Sequence, residues 1–422
     1  LTAAPGRHLI YRWIVGCAFM VAAVLFALTM SGSSATAATK PPKLDAKAWA
    51  MIDARTGEIL AEHDSDRHLP MASTTKMMTA YLAMKNLNLA RKYPAADYQA
   101  EPAESLMGLE PGQMITGKDL LYGLILLSGN DAAVTLAEAV SGSEKKFVGL
   151  MNRTAVRLGL EDTNYENAVG LDGKQHYTSA RDLAVLGQDL MELPRFRPIA
   201  ASRAATLQSY DPPIEIETLN DFVLNNSWAR GIKTGHTTAA GYVLASDGRR
   251  RATELIGAVI GTPTELARDA ESVKLFDYGF SLYRKQVPIR PSQPVIELPV
   301  KFQDEDLALV SPRAVRIGVR KGEDLVVTPE VPDEIEGPIK KGELIGSATV
   351  TVNGDTISTV KLKAARSVEE ASLIDKAKGR VIFLVVALLI LLSAIIGLVA
   401  LVKHRREARM RSRLRRVTRR KR

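Results

Sequence analysis

The sequence predicts a mixed α/β chain of the α+β kind. Antiparallel strands stand at both ends of a long helical stretch, a small all-β domain follows, and a single carboxy-terminal transmembrane helix comes last. Three observations carry this class. Strand-like apolar runs at Ala48–Asp53 and again after Trp228 enclose about a hundred residues of helix-period pattern. Short alternating runs resume beyond a proline-rich break at Val287–Pro294. Val381 to Val402 is an uncharged run of 22 residues, long enough at ~1.5 Å per residue to cross a ~30 Å hydrocarbon core. With 422 residues, 46% of them hydrophobic, the chain can bury a large core and has room for two or three domains.

Taken in order, Arg7 and Arg12 precede an apolar run from Trp13 to Met30, and small residues follow, ending Ala35-Thr36-Ala37-Ala38. This is the layout of a secretory signal over 1–37, cleaved near Ala37 or Ala38. The length of the run leaves an uncleaved amino-terminal anchor as the other reading. Cys17, the only cysteine, would leave with the signal, so the mature chain is expected to hold together by core packing without disulfides.

Next, Ala48–Asp53 and Glu58–Glu62 flank Ala54-Arg55-Thr56-Gly57 and predict two half-buried strands joined by a turn. Pro70-Met71-Ala72-Ser73-Thr74-Thr75-Lys76 follows. On a helix, positions three apart share a face, which sets the Lys76 amine beside the Ser73 hydroxyl, a nucleophile with its base. A lysine serves as base only if burial or a neighbouring cation drives its pKa down, and Met77, Met78, Tyr81, Leu82 and Met84 supply the burial. The same spacing recurs at Ser143/Lys146 and Ser358/Lys361, and for each of the three a helix cap or a solvated strand face is the plain alternative, so what separates the first must come from the rest of the chain. Thr116 with Asp119 forms a capping box for an apolar helix that stops at Ser128-Gly129-Asn130; a second helix runs from Asp131 through Val140 and a third from Phe147 to Leu158. Farther on, Trp228–Thr237, Gly241–Ala245 and Glu254–Ile260 read as antiparallel strands returning to the first sheet, with Lys233-Thr234-Gly235 on one of them.

Beyond the proline-rich boundary, Val315–Val319, Leu325–Val327 and a hairpin turning at Asn353-Gly354 describe the small β domain. Ser367 to Lys378 reads as a helix leading into the 381–402 span. Residues 403–422 then carry twelve basic side chains opposed only by Glu407. Positive charge stays on the cytoplasmic side, so the tail is read as cytoplasmic and the body as extracytoplasmic. The net charge of +9 therefore does not call for nucleic acid. The tail alone exceeds it, the body is mildly acidic, and the tail's expected partner is anionic membrane lipid.

Ser73-Thr74-Thr75-Lys76, Ser128-Gly129-Asn130 and Lys233-Thr234-Gly235, in that order and 55 and 105 residues apart, resemble the active-site triplet of the penicillin-recognising serine enzymes. The flanks Pro70-Met71-Ala72, Leu126–Ala133, Gly231–Thr237 and Arg268-Asp269-Ala270-Glu271 narrow the resemblance to low-molecular-mass penicillin-binding proteins that are D-alanyl-D-alanine carboxypeptidases. Pro338-Ile339, Gly342 and Gly346 resemble the domain attached to them. The resemblance implies a penicillin-binding protein/β-lactamase-like fold, an antiparallel sheet flanked by helices plus an all-helical lobe with the site in the cleft. It places the catalytic domain at 44–286 and the β domain at 295–366. It also implies roles: Ser73 as nucleophile, Lys76 as base, Ser128 relaying the proton and Asn130 orienting Lys76 and the substrate amide. The backbone N–H groups of Ser73 and His236 would form the oxyanion hole, and Lys233 and Thr234, beside Gly235 and with Arg268 in support, would hold the substrate carboxylate. No cofactor or metal is expected. The implied substrate is the peptidoglycan stem pentapeptide, with β-lactams as inhibitors.

Two other readings compete. A class A β-lactamase shares Ser-x-x-Lys and Lys-Thr-Gly, but uses Ser-Asp-Asn and a deacylating glutamate; here Glu166 is followed four residues on by Gly170. A non-catalytic cell-wall-binding protein would keep the cleft and lose turnover, which the intact Ser73, Lys76, Ser128, Asn130 and Lys233 argue against. A transpeptidase is expected to be larger, with a further amino-terminal module.

Overall fold

The computed structural model describes residues 40–303 and 305–419. The expected signal over 1–37 lies outside them, as do the last three residues of the basic tail. Every regular element described belongs to one unit that begins at Asp45.

Strand β1 (Ala48–Asp53) is buried along its whole length, whereas β2 (Ile59–His63) buries one residue of five. The expectation of two half-buried strands therefore holds for β2 and fails for β1. The reason is position in the sheet. With β3 (Ala229–Thr237), β4 (Gly241–Arg250) and β5 (Thr253–Thr262), the strands form an antiparallel sheet of order β2-β1-β5-β4-β3. β1 is interior, with Ala50 opposite Ala258 of β5, and helices cover both of its faces. Such a strand reads as a continuous apolar run. β3 stands at the edge.

The helical stretch contributes α1 (Lys76–Asn86), α2 (Gly117–Leu126), α3 (Asn130–Ser141), α4 (Glu144–Arg157) and α5 (Ala180–Met191). Their starts are set by side chains. Thr116 Oγ1 accepts the Asp119 N–H at 3.1 Å, and Ser179 Oγ accepts that of Asp182 at 3.1 Å. α4 starts earlier than Phe147 because Ser143 caps it, accepting the Lys146 N–H; that is the whole meaning of the Ser143/Lys146 spacing. α1 is buried from Lys76 through Met84 and forms the centre of the helical lobe. α5 packs on one face of the sheet and α6 (Glu265–Ser281) on the other. Sheet, flanking helices and helical lobe are the architecture expected from the resemblance.

Lys92–Pro94 pairs with Met114–Thr116 and Ala204–Leu207 with Ile214–Glu217 in two small ribbons. Beyond α6 the strands are β6 (Tyr283–Ile289), β7 (Pro294–Pro299), β8 (Asp306–Val310), β9 (Val315–Arg320), β10 (Leu325–Glu330), β11 (Leu344–Val352) and β12 (Asp355–Ala364). β6 pairs with β9, and the other five form a sheet of order β7-β8-β12-β11-β10 around Leu307, Leu309, Val350 and Leu362. Asn353 and Gly354 sit at φ +51° and +91° in the β11–β12 hairpin, the conformation that Asn-Gly favours. Ser358 and Lys361 lie on β12, where positions three apart face opposite sides.

One helix, α7 (Leu373–Arg419), ends the described chain and contains the apolar stretch Leu384–His404, exposed throughout. It starts later than the expected Ser367, because Val368 is still paired with Ile339 of the β domain. It also runs on through the basic residues that follow the span.

Candidate active site

Ser73 and Lys76 meet at a junction of two helix types. Ala72–Thr75 form a tight 3₁₀ turn that runs straight into α1, whose first residue is Lys76. Ala72 enters the turn at φ +48°. The turn is braced by Thr75 Oγ1, which donates to Ala72 O at 2.8 Å. Ser73 is half-buried, while Lys76 is fully buried. The Lys76 Nζ donates to Ser73 Oγ at 3.0 Å and to the Val169 carbonyl at 2.5 Å. Burial first, then the nearby Lys233 cation, hold the Lys76 amine well below the ordinary lysine range; Glu104 and Asp131 oppose the shift.

The second element is the turn between α2 and α3. Ser128 takes φ +60° and is buried; Asn130 opens α3 and is buried beside it. A non-glycine residue in the left-handed region is sparsely populated and recurs at functional sites. Asn130 Nδ2 donates to Glu104 Oε2 at 2.6 Å.

The third element is the edge strand β3. Lys233 is buried, with Nζ donating to Thr234 O at 2.9 Å; burial and then the charge of Arg268 lower its pKa to about 7. Gly235 has no room for a side chain, since a Cβ there would stand 2.9 Å from the Ser73 amide nitrogen. The strand thus passes directly over the nucleophile's backbone. His236 is exposed and stacks its ring on Tyr242 at 4.1 Å, so its imidazole is turned to a neighbour on β4. Arg268, in the first turn of α6, is buried. Its Nη1 pairs with Glu265 at 3.0 Å and its Nε with Asp269 at 2.7 Å, while Nη2 is buried with no hydrogen-bond partner among the described residues. Lys233 and Arg268 thus set two buried cationic side chains close together beside the edge strand.

The fold therefore gathers Ser73, Lys76, Asn130, Lys233, Gly235 and Arg268 from the lobe, the edge strand and α6. Ser128 stands two residues before Asn130 on the turn, and Thr234 and His236 flank Gly235 on the strand. The fold also brings in groups that the sequence reading passed over. Asn167 Oδ1 accepts the N–H groups of Val169, Gly170 and Leu171, shaping the loop whose Val169 carbonyl holds Lys76. Gly170, at φ +102°, lies so close that a Cβ would be 2.1 Å from the Ala72 carbonyl oxygen. His176 is buried; its Nδ1 accepts the Glu166 N–H at 2.9 Å and its Nε2 meets Thr75 Oγ1 at 2.8 Å. Of these, Asn167 with Gly170 carried a local turn signal, whereas Glu104 and His176 carried none.

A serine bound to a buried lysine, a second serine and an asparagine on a rigid turn, and a lysine on the facing edge strand define the penicillin-recognising class of serine enzymes. A family model described as D-alanyl-D-alanine carboxypeptidase matches residues 35–264, and a model of the penicillin-binding protein 5 C-terminal domain matches residues 283–370. The chain belongs to the serine D-alanyl-D-alanine carboxypeptidase family, and with it to the peptidases among the hydrolases. It is 32% identical over 365 residues to the D-alanyl-D-alanine carboxypeptidase DacC of Escherichia coli, across 82% of this chain and 90% of that one. Penicillin binding protein 5 of Haemophilus influenzae aligns with a TM-score of 0.56 at 29% identity, over 78% of this chain and 99% of that one. A variant of a Streptomyces DD-transpeptidase aligns at 30% identity and a TM-score of 0.53, over 57% of this chain and 100% of that one. These relatives favour neither the β-lactamase nor the non-catalytic reading.

Proposed function

We propose that this protein removes the terminal D-alanine from peptidoglycan stem pentapeptides through an acyl-enzyme on Ser73. The observation that carries the reading is the buried Lys76 amine, 3.0 Å from Ser73 Oγ, whose pKa burial lowers well below the ordinary lysine range. The Ser73 oxygen attacks the carbonyl carbon between the two terminal D-alanines as Lys76 takes its proton. The oxyanion is received by the backbone N–H groups of Ser73 and His236. Ser128 passes a proton to the departing nitrogen, the C–N bond breaks, D-alanine leaves, and water then hydrolyses the ester. Asn130 orients Lys76 and the substrate amide. Lys233 and Thr234, over the side-chain-free Gly235 and with Arg268 behind them, hold the terminal carboxylate, which makes the enzyme an exopeptidase. β-Lactams enter as inhibitors because they too offer a strained amide and a carboxylate.

In the same reading, 44–286 is the catalytic domain and 295–366 a spacer domain with no constellation of its own. The 381–402 region is a single membrane span and 403–422 a cytoplasmic tail on anionic lipid. The signal over 1–37 exports the body. Incubation with a fluorescent penicillin followed by mapping of the adduct, and release of free D-alanine from a pentapeptide, test it together. An adduct on Ser73 that Ser73→Ala abolishes, with D-alanine released, is expected. An adduct on Ser143 or Ser358 would overturn the assignment, and labelling without D-alanine release would leave only the binding protein. An added amine acceptor in the second assay separates transfer from hydrolysis.

A further inference from the structure

Among the described residues, Glu104 is the one carboxylate that hydrogen-bonds a side chain of the proposed machinery in the lobe. Its Oε2 accepts Asn130 Nδ2 at 2.6 Å and the Tyr98 hydroxyl, and its Oε1 accepts the Glu101 N–H at 3.2 Å. The loop that carries it is gripped by the same turn of α3. Asn130 N donates to Ser105 O at 2.8 Å, and the Asp131 carboxylate accepts the N–H groups of Met107, Gly108 and Leu109 at 2.8, 2.8 and 2.9 Å. Glu104 and Asn130 are therefore parts of one rigid body.

We propose that Glu104 is a positioning residue for acylation: its carboxylate fixes the orientation of the Asn130 amide, and its charge acts on the Lys76 amine. The chemistry of the contact decides the amide's orientation. Only the NH₂ end can face a carboxylate, so the Oδ1 end is left to accept from an ammonium or a substrate N–H. Two amines brought together in a dry site do not both hold a proton readily, and a nearby anion sets how far the Lys76 amine is discharged. Around Lys76 the charged groups are Lys233 from the edge strand, Asp131 from α3 and Glu104 from the preceding loop. Glu104 itself is unsuited to be a deacylating base. Burial pushes its carboxyl up, but the hydrogen bonds from Tyr98, Asn130 and the Glu101 backbone, with the Lys76 charge, pull it below the ordinary glutamate value. Three hydrogen bonds also already engage it, two on Oε2 and one on Oε1.

The inference rests on the roles proposed above for Lys76 and Asn130. It is tested on the full-length protein in detergent by the rate of fluorescent-penicillin acylation against pH, with melting temperatures measured in parallel. Glu104→Gln keeps the shape and removes the charge, so Lys76 loses its proton more readily. The acid limb of the profile should move down by about half a pH unit or more. Glu104→Asp keeps the charge but withdraws the carboxylate from Asn130. It should leave the limb near its original pH and lower the plateau rate by ~10-fold. Limbs and plateaus equal to those of the parent in both variants would overturn the inference, as would losses that follow the melting temperature alone. Failure of the parent itself to label on Ser73 would instead sink the proposed function, and this role with it.

Discussion

Lys76 and Lys233 are both amines, yet the proposed acylation needs the first neutral and the second charged. Burial lowers both, and each has a cation near it, Lys233 beside Lys76 and Arg268 beside Lys233. What would separate them is the substrate: Lys233, at about 7, gains a counter-charge when a carboxylate binds to it. The alkaline limb of kcat/KM, which reports the free enzyme, should fall near pH 7, and that of kcat should lie higher. A kcat/KM flat from pH 6 to pH 9 would contradict these assignments. Lys76→Arg should lose ~100-fold or more of the acylation rate although it keeps the charge, because a guanidinium does not release its proton. His176 gives a stability test at the same scale. Burial depresses its pKa from 6.5 to about 4 against the opposing charges of Glu166 and Asp172. A base whose folded pKa is depressed contributes stability above the unfolded value, lost as pH falls through the folded one. The melting-temperature advantage of the parent over His176→Gln should thus be full above pH 6.5 and shrink towards pH 4, by up to about 3 kcal/mol in all.

At the scale of elements, the site is a meeting of three backbones, and the loop after α4 sets how close they come. Thr237 Oγ1 on β3 donates to Asp172 Oδ1 at 2.8 Å, so the loop is tied at one end to the edge strand and at the other, through His176, to the turn of Ser73. Gly170→Ala would drive a methyl into the Ala72 carbonyl and strain a φ of +102°. A cost of ~2–4 kcal/mol and a loss of most penicillin labelling are expected. Gly142→Ala is the control. It shares a positive φ of +76° at a helix C-terminus but has open space around it, so it should cost ~1 kcal/mol and leave labelling intact. The helices were legible in the sequence because their caps are local: Thr116 with Asp119, and the apolar rows between. The interior position of β1 was not, because a strand's burial depends on which strand lies beside it, and its neighbour β5 comes from the far end of the domain.

At the scale of the molecule, the β domain meets the catalytic domain through side chains from the β1–β2 turn. Arg55 pairs with Asp355 at 2.6 Å and Glu58 is paired bidentately by Arg320. These pairs are partly exposed and individually weak. α7 is different. Its apolar stretch Leu384–His404 has no protein cover, so removing it should expose nothing. The structure also says where to cut. Ala364 is paired in β12 and Val368 with Ile339, and Gln303 donates to the Glu369 carbonyl at 3.0 Å. A stop after Ser372 should therefore release a soluble, penicillin-labelling protein. A stop after Lys363 should lower its melting temperature by removing part of the β-domain core. Insoluble protein from the Ser372 stop would argue against α7 as the only membrane attachment.

What the sequence determined by itself was whatever is written in short-range pattern. The spacing of Ser73 and Lys76, the Ser128-Gly129-Asn130 stop, Lys233-Thr234-Gly235 on a strand, the Asn353-Gly354 hairpin and the uncharged carboxy-terminal run all depend on residues within a turn or two of each other. The tertiary structure decided what depends on distance in the chain. The Val169 carbonyl holds Lys76 from 93 residues away, Glu104 reaches Asn130 across 26, and His176 meets Thr75 across 101. Each of these partners sits in a loop with no periodicity to mark it. The pKa values that matter follow the same rule, because desolvation and neighbouring charge are properties of the assembled site and not of any stretch of chain.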